Sequence, residues 1–132
     1  FKELLENNGA QYIRADVCLA GGLTHCKKIA ALAESYHVGM IPHNPLSPVS
    51  TAACVQLDAC IPNFTLQEYT GEDSPPKSLV LETPLVLENG YFYLPDKPGI
   101  GVCLNEEAVR KMEYSRKFSP TPLRKDGSVA DR

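Results

Sequence analysis

His43 is the side chain in this sequence best placed to move a proton. Its unperturbed pKa lies nearest neutrality, so it can take or give a proton at working pH. It stands in Ile41-Pro42-His43-Asn44-Pro45, between two prolines and just after the apolar run Val38-Gly39-Met40-Ile41. Each proline fixes its own φ, removes a backbone donor and steers the preceding residue away from helix. The imidazole therefore sits at a strand end on a stiff turn. Asp16 precedes His43 by 27 positions and Glu68 follows it by 25. A histidine and two carboxyls can do general acid–base chemistry together, provided the fold brings them together. Apart, each is an ordinary loop residue.

The elements around them supply a reason for convergence. Helix formers over Phe1 to Asn8, with Asn7-Asn8-Gly9 as a C-cap signal, predict a helix. Gln11 to Val17 reads as a strand carrying Tyr12, Ile13 and Val17, with Asp16 near its end. Gly21-Gly22 makes a turn. Thr24 is the expected N-cap of a helix to about Tyr36, with Ile29, Leu32, Ala33 and Tyr36 on one face. His25 and His37 fall at its two ends, where surface or capping roles suit them. The strand Val38 to Ile41 delivers His43. Ser47-Pro48 then gives an N-cap and N1 proline to a helix with Val49, Ala52, Ala53, Leu57 and Cys60 in one stripe. Phe64 to Gln67 is a third strand, running into Glu68. Short connections in an α-β-α-β-α-β order argue for parallel strands covered by helices.

In such a fold Asp16, His43 and Glu68 occupy equivalent places, each at a strand's C-terminal end and one β/α unit from the next. In a β/α barrel those ends ring the active site. Neighbouring strands lie ~4.8 Å apart, close enough for an Asp and a His on adjacent ends to share a hydrogen bond. Such an Asp would fix the histidine tautomer and favour its charged form, making a stronger base.

After Tyr69 the character changes. Thr70 to Lys77 is polar and holds Pro75-Pro76, so it reads as a loop. Pro84 to Pro95 is a hairpin around Asn89-Gly90, the strongest short hairpin signal. Pro98 to Val102 is turn-rich. Asn105 to Lys111 reads as a short helix with acids first and bases last, as the macrodipole favours. From Ser119 the chain reads as a frayed tail. The expected division is a barrel portion over 1–69, a loop, hairpin and helix over 70–118, and a flexible tail over 119–132.

Composition narrows the function classes. The chain has 132 residues, enough for one domain with a real core. A net charge of -3, with no basic block and no aromatic-basic interleaving, gives nucleic acid nothing to bind. No apolar run approaches the ~18 residues of a membrane span, and the start is no signal peptide. The chain opens without Met in what reads as mid-helix, and is expected to be a piece of something longer. Its five cysteines make no Cys-x-x-Cys pair. Most fall on apolar faces, so they read as buried free thiols in a reducing compartment, and the cytoplasm is the expected location.

Taken together, Asp16 with Gly21-Gly22-Leu23-Thr24, Pro42-His43-Asn44-Pro45 and Leu66-Gln67-Glu68 resemble the last third of an enolase-superfamily barrel. The likeness is to the mandelate racemase and muconate lactonizing enzyme group, and within it to sugar-acid dehydratases typified by galactonate dehydratase. It covers roughly residues 1 to 112, because the hairpin and the Pro98–Val102 segment are similar to that group's C-terminal return to its capping domain. The implied fold is α/β, the C-terminal part of a (β/α)₈ TIM-type barrel, strands six to eight, plus the returning segment. The resemblance makes His43 the general base, Asp16 its partner, and Glu68 a hydrogen-bonding group for the enediolate or the substrate carboxylate.

It also implies magnesium, held by carboxylates on strands three to five, which this chain does not contain. The implied reaction is dehydration of a galactonate-like aldonate to a 2-keto-3-deoxy acid, by α-proton abstraction and loss of a β-hydroxyl. A racemase or epimerase keeping the same dyad is the second enzyme reading, and a non-catalytic fragment or assembly partner the third. The partners expected are a small sugar acid and, for the full-length protein, further copies of itself.

Overall fold

In a computed structural model of the chain, residues 1–116 and 121–130 are described. Parts of the expected 70–118 and 119–132 segments, namely 117–120 and 131–132, lie outside them. The first helix, α1 (Lys2–Glu6), is capped at its C-terminal end by backbone bonds from Asn7 and Asn8 to carbonyls of the helix. Strand β1 (Tyr12–Ile13) follows, then α2 (Gly22–Glu34), β2 (Gly39–Met40) and α3 (Pro48–Asp58).

β1 and β2 are parallel, with Tyr12 opposite Gly39 and Ile13 opposite Met40. The pairing continues beyond the regular strands. Backbone bonds run from His43 N–H to the Ala15 carbonyl, and Asp16 and His43 form a parallel bridge. On the other side of β2, segment 64–68 joins by a Met40–Phe64 bridge and by Thr65 N–H donating to the Met40 carbonyl. The three expected strands are thus adjacent and parallel with β2 in the middle. Their regular parts are shorter than expected: among the described residues β1 and segment 64–68 each have a neighbour on one side alone, and Pro42 gives β2 no N–H with which to extend its ladder.

Apolar spacing builds the core. Cys26, Ile29, Ala30 and Ala33 of α2 are buried against Leu5, Ile13, Ala15, Val17, Val38, Met40, Cys54, Leu57 and Ile61. The Asn63 side chain ties the layers together, donating to the Ala30 carbonyl at 3.0 Å and the Val38 carbonyl at 2.9 Å. Gly39 is required by close approach. A Cβ there would lie 2.6 Å from Thr65 Oγ1 and 2.8 Å from a Tyr12 ring carbon.

Three expectations are corrected. Thr24 is not the N-cap of α2, which begins at Gly22 after Gly21 turns the chain at φ +92°. A left-handed glycine makes that entry without a side-chain cap. Leu32 is only partly covered and Tyr36 exposed, so the stripe of α2 runs through Cys26 and Ala30 instead. Cys60 lies past the end of α3 and is exposed, as are Cys18 and Cys103, so only Cys26 and Cys54 are buried thiols; all five are free. Burial pushes the Cys54 thiol up to about 12, which leaves it unreactive.

Other signals translate directly. Ser47 accepts from Ser50 N–H with Pro48 at N1 of α3. Asn89 and Gly90, at φ +51° and +81°, turn β3 (Leu87–Glu88) into β4 (Tyr91–Phe92), the mirror-image turn that matches strand twist. Asn105 caps α4 (Glu106–Lys111) by accepting from Ala108 N–H, and Arg110–Glu106 and Lys111–Glu107 pairs line it. Residues 122–130 close a small turn through a Leu123–Val129 bridge.

Candidate active site

The parallel register puts Asp16 and His43 side by side on adjacent strand ends. His43 Nδ1–H donates to Asp16 Oδ2 at 2.9 Å. The other oxygen of Asp16, Oδ1, accepts the Cys18 N–H at 2.8 Å, so the carboxylate is fixed at both ends and only 6% exposed. A carboxylate without a proton can only accept, so Nδ1 carries the proton and Nε2 is left as the basic nitrogen. The His43 side chain is 36% exposed, which leaves that nitrogen within reach of a ligand. Pro42 is buried behind it, and His43 N–H is spent on Ala15, so the ring has a stiff mount.

Glu68 arrives beside them. Its Oε2 accepts the Asn44 N–H at 2.7 Å and the Arg14 guanidinium at 2.5 Å. Arg14, then the Asn44 N–H, hold its carboxyl below the usual carboxylate range, and the nearby His43 acts in the same direction. All three residues expected from the sequence therefore meet in one place. The state of Glu68 is more specific than expected. A carboxylate carrying two donors on one oxygen is itself an acceptor, so this environment does not prepare Glu68 to donate a proton to an enediolate.

Sequence reasoning passed over the residues that mount Glu68. Arg14 stands two positions before Asp16, on the same face of its strand. Asn44 is 1% exposed and its Nδ2 donates to Thr51 Oγ1 at 2.7 Å and to the Glu68 carbonyl at 3.3 Å. Thr51, fully buried in α3, donates to Glu72 Oε1 at 2.5 Å, and Glu72 N–H donates to the Tyr69 hydroxyl at 2.9 Å. Burial pushes the Glu72 carboxyl up. This chain of bonds anchors the Asn44 backbone that Glu68 leans on. Two polar residues, Ser50 and Thr51, among the buried residues of α3 were the available signal.

Among the described residues no group of three His, Cys, Asp or Glu side chains stands together to hold a metal ion. The described residues do not make a magnesium site. Nor, among them, is any helix long and apolar enough to cross a membrane.

Comparison with known proteins settles the family, since the Enolase C-terminal domain-like family matches residues 1–108. The chain belongs to that family. The D-galactonate dehydratase of Ralstonia pickettii (strain 12J) is 39% identical over 139 residues, covering 99% of this chain and 36% of that protein. An enolase from Agrobacterium radiobacter, solved with bound Na and L-malate and an ordered active site, superposes with a TM-score of 0.87 at 34% identity, over 96% of this chain and 35% of the other. An enolase from Pantoea ananatis with bound d-gluconate and Mg superposes with a TM-score of 0.77 at 36% identity, over 84% and 27%.

The chain spans about a third of the length of the curated relatives it matches. The three parallel strand ends are thus part of an enolase-type barrel, and the α/β, TIM-type expectation holds.

Proposed function

We propose that the whole protein to which these residues contribute dehydrates a polyhydroxy carboxylic acid of the galactonate type, with His43 as the base. The observation that carries this reading is the Nδ1–Asp16 bond, which leaves Nε2 as a fixed, accessible proton acceptor at a barrel strand end. The proton α to a carboxylate is very weakly acidic, so its removal needs a base of fixed aim. Nε2 takes that proton, and the C–H electron pair moves toward the substrate carboxylate. The pair returns to form the double bond as the β-carbon–oxygen bond breaks. The hydroxyl departs as water with a proton from a general acid outside this chain, and His43 afterwards gives up the proton on Nε2 to solvent. The enol left behind ketonises to the 2-keto-3-deoxy acid. As the proton transfers, Asp16 faces an imidazolium and stabilises it.

The D-galactonate dehydratase relative and the gluconate-bound neighbour support the substrate class. The Mg in that neighbour supports a magnesium requirement for the whole protein, with ligands outside this chain. Five free thiols support a reducing compartment, the cytoplasm.

The test is His43→Asn in the whole protein, followed by exchange of the α-hydrogen of D-galactonate or d-gluconate for deuterium. Dehydration and exchange should both fall by at least about 10²–10⁴-fold, the usual worth of a positioned base. Exchange at the unmutated rate would remove His43 from the role.

A further inference from the structure

Glu68 is held from one side only. Both of its donors, Arg14 Nη2 and the Asn44 N–H, converge on Oε2. Among the described residues Oε1 has no hydrogen-bond partner, although the side chain is 29% exposed and stands beside the dyad. Arg14 is similarly half-committed. It spends Nη2 on Glu68, its other N–H groups find no acceptor among the described residues, and its side chain is 48% exposed. Arg14 shares a strand face with Asp16, and Asn44 follows His43 directly. The free edge of the pair therefore opens beside the base rather than on a remote surface.

A guanidinium has five donors in a rigid plane and no acceptor, while a carboxylate has acceptors only. A pair joined at one corner presents acceptor and donors next to each other. That pattern matches neighbouring oxygens of a polyol, where one hydroxyl donates and an adjacent hydroxyl or carboxylate oxygen accepts.

We infer that Arg14 is a substrate-binding residue that sets specificity: it fixes Glu68 so that Oε1 accepts a hydroxyl of the sugar acid, and its own remaining N–H groups bind an adjacent oxygen. The inference rests on the dehydratase reading and assigns Glu68 to recognition rather than to proton donation. Arg14, directly after β1, and Asn44 and His43, from the loop after β2, are the groups that face Glu68.

The experiment uses the whole protein with Arg14→Met and Arg14→Lys, on D-galactonate and d-gluconate. Losing a charge-assisted contact to the ligand should raise KM about tenfold or more for Arg14→Met, with a smaller fall in kcat. The acid limb of the kcat/KM profile should also move to higher pH, because Glu68 loses the neighbour that favours its charged form. Arg14→Lys keeps the charge but not the planar fork, so it should leave the acid limb in place and still raise KM. If Arg14→Met fails to fold, by circular dichroism, the lysine variant carries the test alone.

Equilibrium binding of d-gluconate to His43→Asn, with and without Arg14→Lys, reads the same contact without turnover. A folded variant that keeps the parent KM, acid limb and d-gluconate affinity overturns the inference. A parent protein that dehydrates no sugar acid and exchanges no α-hydrogen overturns the dehydratase reading and this one with it. That failure is recognisable because it appears before any mutation of Arg14.

Discussion

Asp16 illustrates how much one carboxylate does at this site. Oδ2 selects the tautomer of His43 while Oδ1 holds the Cys18 N–H, so the side chain cannot rotate to release one without losing the other. An asparagine has one acceptor where the aspartate has two, and must leave either Cys18 N–H or His43 Nδ1–H unpaired. If its amide nitrogen faces His43, Nδ1 becomes the acceptor and the proton shifts to Nε2, where the α-proton should go. Asp16→Asn should therefore reduce kcat by about 10²-fold or more with KM little changed, since substrate contacts stay in place. Combined with His43→Asn it should add almost nothing, because the two residues work as one unit. Steady-state kinetics of the two single variants and the double variant check this. Additive losses would separate Asp16 from the base.

At the scale of elements, the difference between what was legible and what was not has a physical basis. Parallel strands joined by a covering helix recur at nearly equal intervals, so the 27-residue step from Asp16 to His43 could be read as one β/α unit and becomes a bridge. The Ser47-Pro48 start of α3, the Asn89-Gly90 turn and the Asn105 cap depend on one or two residues of distinctive conformation, and they too were readable. Arg14 was not, because an arginine on a half-exposed strand has no local signature and its partner is 54 positions away. Cys60 was misplaced because apolar periodicity continues past Asp58 while the helix does not. Asp58 itself, the last residue of α3, shows what such an end can hide. It lines a cleft of about 770 Å³ between α3, segment 64–67 and the β3–β4 hairpin. Its Oδ1 is buried without a hydrogen-bond partner, and burial pushes the carboxyl up to about 7. A carboxyl raised in the folded state binds more protons there than in the unfolded chain. Its stabilising contribution is complete below the unfolded value, near 3.8, and is lost as pH rises through about 7. Urea unfolding of this chain should thus show a midpoint that declines between about pH 4 and 8. Asp58→Asn, neutral throughout, should flatten that decline, and a parallel decline in both proteins would assign it to other groups.

At the scale of the whole molecule, the sheet has two open edges. β2 lies in the middle, and among the described residues β1 and segment 64–68 each pair with β2 alone. Leu66 is 52% exposed on one edge strand and Tyr12 53% on the other, beside unpaired backbone groups. Parallel barrel strands are normally covered on both faces and closed around the axis, so neither edge nor apolar face meets water. Exposed edges of this kind recruit further strands. Along one of these edges Phe64, Thr65 and Leu66 are uncharged and contain no proline, so that stretch lacks the usual protection. The 132-residue chain expressed alone should therefore associate in a concentration-dependent way, visible by light scattering coupled to size exclusion. It should turn over no sugar acid, because the dyad supplies a base and no metal ligands stand with it among the described residues. Lysine at Leu66, a charge placed on the open edge, should shift the equilibrium toward monomer if the edge drives it. Adding the rest of an enolase-type barrel as a separate chain should suppress self-association and restore turnover together, since the same strands close the edge and complete the site. A purified chain that stays monomeric at high concentration and dehydrates sugar acids with magnesium would overturn this account of the assembly.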